Sequence, residues 1–141
     1  MKAYGIAYIA TALVFLCVDT IWLTVAAQRL YRPLMENMLL EHFNLLPAVL
    51  FYLIYIAGIV VFAISPAFST GRWVTATWHG ALLGLLAYAT YDLTNQATLR
   101  NWPVAVTIAD LCWGTFLTAF AATAGYMIAR TLVTTPGAGS V

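Results

Sequence analysis

Three aspartates stand in stretches that are otherwise strongly apolar: Asp19 in "VDTIWL", Asp92 in "YDLTNQ" and Asp110 in "ADLCWG". Carboxylates in such surroundings bond a neighbouring helix, hold a cation or hydrogen-bonding ligand, or pass protons. An ionised Asp near the centre of a membrane helix costs about 2.5–3.5 kcal/mol. Keeping it protonated at neutral pH, against an ordinary pKa of about 3.9, costs about 4 kcal/mol. Each acid therefore needs a partner, a hydrated cavity, or both.

The residues around the acids can supply partners. Asp19 and Trp22, and likewise Asp110 and Trp113, are three apart, a spacing that shares one helix face. In "YATYDLTNQ", Tyr88, Asp92, Asn95 and Gln96 lie along one polar strip. Tyr52 and Tyr55 reach a similar depth from a fourth segment. Indole N–H and phenol O–H groups both donate to carboxylates. Arg100, eight residues beyond Asp92, is the expected ion-pair partner for one acid. The candidate binding residues are thus Asp19, Trp22, Tyr52, Tyr55, Tyr88, Asp92, Asn95, Arg100, Asp110 and Trp113. A purely structural role, with each Asp bonding another helix, is the competing reading. Three acids at one level favour a site.

The elements that bring them together follow from composition. The chain has 141 residues, 63% hydrophobic and only 8% charged, whereas a soluble domain carries about 25% charged residues. Four apolar runs, at about 4–27, 45–64, 73–93 and 104–129, approach the roughly 20 residues needed to cross a bilayer. Backbone groups in lipid must bond internally, so these runs are helices. Short connections make neighbours antiparallel, giving an all-α, up-down bundle of four transmembrane helices within residues 1–130. That threading carries all three acids towards one membrane face, the face bearing Arg29, Arg32 and Arg100.

Between the first two helices, residues 33–44 read equally well as an interfacial helix or as a polar loop. Residues 131–141 read as a flexible tail. Lys and Arg divide evenly between the two sides, Lys2, Arg72 and Arg130 against Arg29, Arg32 and Arg100. The weak preference is for both termini in the cytoplasm. Trp73 and Trp102 read as interface markers. Ala76, Gly80 and Gly84, and Gly114, Thr118 and Ala122, form small-residue ridges suited to close packing within the bundle or between copies.

Several chemistries are argued down. A formal charge of +1 offers nucleic acid no basic field. Cys17 and Cys112 are too few for a disulfide framework and read as small core residues. His79 and His42 are far apart and read as interface residues. No phosphate-binding loop, G-x-S-x-G or H-E-x-x-H pattern occurs. Three carboxylates with Asn95 have the oxygen chemistry for Mg²⁺ or Ca²⁺ but no diagnostic spacing, so no metal or other cofactor is assigned.

"VDTIWL", "YDLTNQATLRNWP" and "ADLCWGT" together resemble a bacterial four-helix membrane family known as domain of unknown function 2177. The matched positions are Asp19, Trp22, Tyr91, Asp92, Asn95, Arg100, Trp102, Pro103, Asp110, Trp113 and Gly114. The resemblance implies a multi-pass inner-membrane protein, associated with fatty-acid-modifying enzymes, and implies no particular activity. Three functions remain open. The chain is a non-catalytic binding or accessory subunit holding a lipid, pigment or partner transmembrane helix, a small proton, cation or solute transporter, or a lipid-modifying enzyme. A one-sided acidic and aromatic pocket favours the first.

Overall fold

A computed structural model describes residues 1–35, 38 and 44–134. Four helices follow in order: α1, Lys2–Met35; α2, Leu45–Thr70; α3, Trp73–Thr98; and α4, Val104–Thr134. Among the described residues there is no strand. Each helix runs antiparallel to the next, as the up-down reading requires. Contacts between Thr77 and Thr123 and between Tyr88 and Gly114 show it for α3 and α4. Helix α4 is the centre of the bundle, packing most extensively on α3 and next on α1.

The surface is apolar where a soluble protein would be polar. Ile9, Leu13, Ile54, Leu82, Ile108 and Phe116 all point outwards. Helices α1, α2 and α4 are long and apolar enough to span a membrane, with mean hydropathies of 2.1, 2.5 and 1.6. Helix α3 is as long, at 26 residues, but less apolar. Its threonines reduce the cost by bonding back to their own helix. Thr77 donates to the Trp73 carbonyl at 3.2 Å, Thr90 to Leu86 at 2.7 Å and Thr98 to Thr94 at 2.8 Å.

The helix ends differ from the sequence expectation in a consistent direction: all four run further. Helix α1 continues past residue 27 through a π-helical turn, Ala27–Tyr31, to Met35. Residues 33–35 of the expected interfacial segment thus belong to α1, while 36, 37 and 39–43, including His42, lie outside the described residues. Helix α4 reaches Thr134, so 131–134 are helical rather than tail, and 135–141 lie outside the described residues. A second π turn, Val60–Ile64, sits in α2. The buried positions Tyr55, Ile59, Ala63 and Ala67 recur every four residues, a period longer than 3.6 that this turn keeps on one face.

Short connections hold the helices in place. Gly71, at φ 68°, ends α2 in the left-handed region that glycine adopts freely. The Arg130 guanidinium donates to the Gly71 carbonyl at 2.8 Å and to the Tyr126 hydroxyl at 3.0 Å, tying α4 to that turn. The small-residue ridges are used between α3 and α4. A Cβ on Gly80 would lie 2.9 Å from the Ala122 Cβ, and one on Gly84 would run into the Gly114 carbonyl. Both ridges are consumed inside the chain and are not free to join a second copy. Cys17 and Cys112 are exposed on the outer surface rather than in the core.

The interior is divided. A main core runs from Ala7, Ala67 and Ala129 at one end to Phe15, Tyr55 and Leu117. A separate small cluster of Met35, Trp102 and Val106, joined by Leu30 and Tyr31, caps the other end. Trp102 is therefore buried within this cap rather than exposed as an interface marker.

Candidate functional site

The three aspartates lie between the main core and the cap, and all are buried: Asp19 is 6%, Asp110 7% and Asp92 0% exposed. They form one electrostatic group, Asp110 lying within reach of both Asp19 and Asp92. Threading explains this. Asp92 is six residues from the end of α3, and Asp110 is six residues past the start of α4. Both lie about 9 Å from those helix ends at 1.5 Å per residue.

The hydrogen bonds cross between helices. Asp19 Oδ2 accepts from the Tyr52 hydroxyl of α2 at 2.8 Å, and its Oδ1 accepts from the Trp113 indole of α4 at 3.2 Å. Trp113 stacks on Trp22, with ring centroids 4.5 Å apart and planes at 10°. The Trp22 indole donates to the Tyr31 oxygen at 3.2 Å, and the Tyr31 hydroxyl donates to Asp110 Oδ1. Each Asp-x-x-Trp pair is thus split: Trp113 serves Asp19, and Trp22 serves Asp110 through Tyr31.

Tyr31 was not foreseen, because the sequence places it in a loop. In a regular helix, nine residues turn the chain through about 900°, leaving Tyr31 roughly opposite Trp22. The π turn absorbs one residue, so the effective angle falls to about 80° and the two side chains meet. Tyr31 ending the polar-and-aromatic run "QRLY" was the available signal, but it gives no register.

The remaining expected residues divide. Tyr55 is buried in the main core and shares a 2.9 Å hydrogen bond with Thr118, so it does not serve an acid. The Tyr88 ring packs on Gly114, and the residue lies within electrostatic reach of Asp19, Asp110 and Tyr31. Gly114 is required there, since a Cβ would overlap that ring. Asn95 is half-buried and bonds none of the carboxylates, and Gln96 is exposed. Arg100 is exposed just past the end of α3, and among the described residues it pairs with no acid. It lies beyond the last helical turn, where an arginine stays in the headgroup region while Tyr and Trp donors satisfy the buried acids.

Asp92 is the exception. Both of its carboxylate oxygens are fully buried and have no hydrogen-bond partner among the described residues. Its neighbour Tyr91 meets Trp102 edge to face, centroids 5.8 Å apart, and the Trp102 indole is spent on Thr107 at 3.0 Å. Two cavities, of 420 and 540 Å³, lie away from the acids along the outer face of α3 and α4 and share Leu85 and Thr115. Among the described residues no three of His, Cys, Asp and Glu converge as metal ligands.

Antiparallel apolar helices enclosing a buried layer of acids, tyrosines and tryptophans define an all-α polytopic membrane protein. Residues 4–127 match the model of the family described as "Predicted membrane protein", domain of unknown function 2177, and the chain belongs to that family. No curated protein and no solved structure matched it.

Proposed function

We propose that the chain is a non-catalytic binding protein of the membrane, either alone or as the accessory subunit of a membrane complex, and that the buried acid layer is its site. The observation that carries this reading is Asp92, a fully buried carboxylate whose two oxygens have no partner among the described residues, within electrostatic reach of Asp110, which is supplied with a donor. An unpartnered buried polar group costs about 1–3 kcal/mol, and more when charged. Packing alone gives no return for that cost, whereas a ligand that brings donors does.

The division of the interior supports a binding site over a conduit. Beyond Tyr55 and Thr118 the main core is filled by Phe15, Ile56, Ile59, Leu117 and small alanines, with little polarity to guide an ion onward. We place the protein in the bacterial inner membrane with both termini in the cytoplasm, the acid layer facing the opposite side.

Native mass spectrometry of protein gently extracted from its own membranes tests the reading. Wild type should retain a molecule or partner that Asp19→Asn, Asp92→Asn and Asp110→Asn lose. A bare chain, identical in all four proteins, would reduce the acids to structural contacts.

A further inference from the structure

We propose that Asp92, with Asp110 beside it, binds the ammonium group of an amine, carried either by a lipid headgroup or by a small free amine. This rests on the binding reading above and names the ligand's chemistry.

Three observations lead there. First, both oxygens of Asp92 are buried with no partner among the described residues, and an ionised carboxylate only accepts, so a ligand that brings donors satisfies it. Second, Asp110 lies within electrostatic reach of Asp92 and of Asp19, and among the described residues no cationic side chain pairs with them, so a positive charge is favoured. Third, the carboxylates do not converge as a metal-binding set. A divalent ion would need several oxygens around one point. A primary ammonium has three N–H donors that fit one carboxylate and leave room for a second. The rings near the acids, including the Tyr91–Trp102 pair beside Asp92, suit an organic cation by cation–π attraction.

Depth and access agree. Helix α3 is 26 residues, about 39 Å, against a hydrocarbon thickness of about 30 Å. Asp92, about 9 Å from the end of a centred α3, then lies only about 4–5 Å below the hydrocarbon boundary, within reach of a headgroup. Among the described residues, the small cap of Met35, Trp102 and Val106 covers that end. It forms a cluster of its own, separate from the main core.

The test uses wild-type protein in phosphatidylglycerol nanodiscs, with native mass spectrometry as the readout. Added lipids form a methylation series from phosphatidylethanolamine to phosphatidylcholine, which removes N–H donors stepwise while keeping the charge. Free ethanolamine is titrated separately. Retention should fall along the series, by about tenfold or more overall, the worth of a charge-assisted hydrogen bond. Asp92→Asn should abolish the preference. Binding of ethanolamine alone would identify a free amine as the source, and binding of the lipid alone would identify the headgroup. Equal retention across the series, with no ethanolamine bound, overturns the inference without relying on any variant. A retained non-amine molecule that the Asn variants release would overturn it while leaving the binding reading intact. No retained molecule of any kind would remove both.

Discussion

Trp113 of α4 gives its indole hydrogen to Asp19 of α1, 3.2 Å away, and not to Asp110 on its own helix. The same ring lies flat on Trp22. One side chain therefore joins α4 to α1 by a hydrogen bond and by stacking, and the second tryptophan returns the connection to α4 through Tyr31 and Asp110. The acid layer is a closed circuit between two helices, so disturbing one member should be felt at the others.

The stacked indoles provide a direct spectroscopic check. Two rings 4.5 Å apart and nearly parallel should couple excitonically and give a split circular-dichroism band. Trp22→Phe or Trp113→Phe should each remove it. A band unchanged by both substitutions would mean that the rings do not stack.

Asp19 and Asp92 should respond to neutralisation in opposite directions. Asp19→Asn weakens two hydrogen bonds to a buried carboxylate and should lower stability by about 2–3 kcal/mol. Asp92→Asn removes a buried acid that has no donor among the described residues and should raise ligand-free stability by about 1 kcal/mol or more. Thermal unfolding in detergent reads both, and a stability loss at Asp92 comparable to that at Asp19 would mean that Asp92 is satisfied.

The π turn can be tested by shortening it. Deleting Gln28 should restore regular helix through residues 27–31 and, by leaving Tyr31 eight residues and about 80° from Trp22, keep its hydroxyl on Asp110. Tyr31→Phe should therefore cost about 1–3 kcal/mol both in the wild type and in the deletion background. Loss of the Tyr31→Phe effect in the deletion background would break the link between the turn and the hydrogen bond.

Close packing of α3 on α4 makes Gly84 and Gly114 sensitive. Gly84→Ala would press a methyl into the Gly114 carbonyl, and Gly114→Ala would press one into the Tyr88 ring. Each should destabilise by about 1–3 kcal/mol. Gly58→Ala, where nothing lies within 4 Å, should be neutral or slightly stabilising. Melting temperatures of the three variants decide it. Arg100→Glu belongs with the control: exposed and paired with no acid among the described residues, it should change stability by no more than about 0.5 kcal/mol.

Much of this molecule could be read from its residues one segment at a time. Long apolar runs dictate helices in lipid, short connections dictate antiparallel neighbours, and counting from the helix ends puts Asp19, Asp92 and Asp110 at one end. The glycine and alanine ridges announced close helix packing, within the bundle or between copies, because small residues four apart on one face have that use in a membrane. All of these are local signals, set by hydropathy and periodicity. Who bonds whom is not local. The crossing of the two tryptophans depends on how α1 and α4 are rotated about their axes, and one absorbed residue at Ala27–Tyr31 decides whether Tyr31 reaches Asp110. Arg100 had the right sequence distance from Asp92, but the end of α3 leaves it outside. That Asp92 is buried and yet without a partner among the described residues emerges only when four helices have chosen their neighbours, since a missing donor is a property of the surrounding shell.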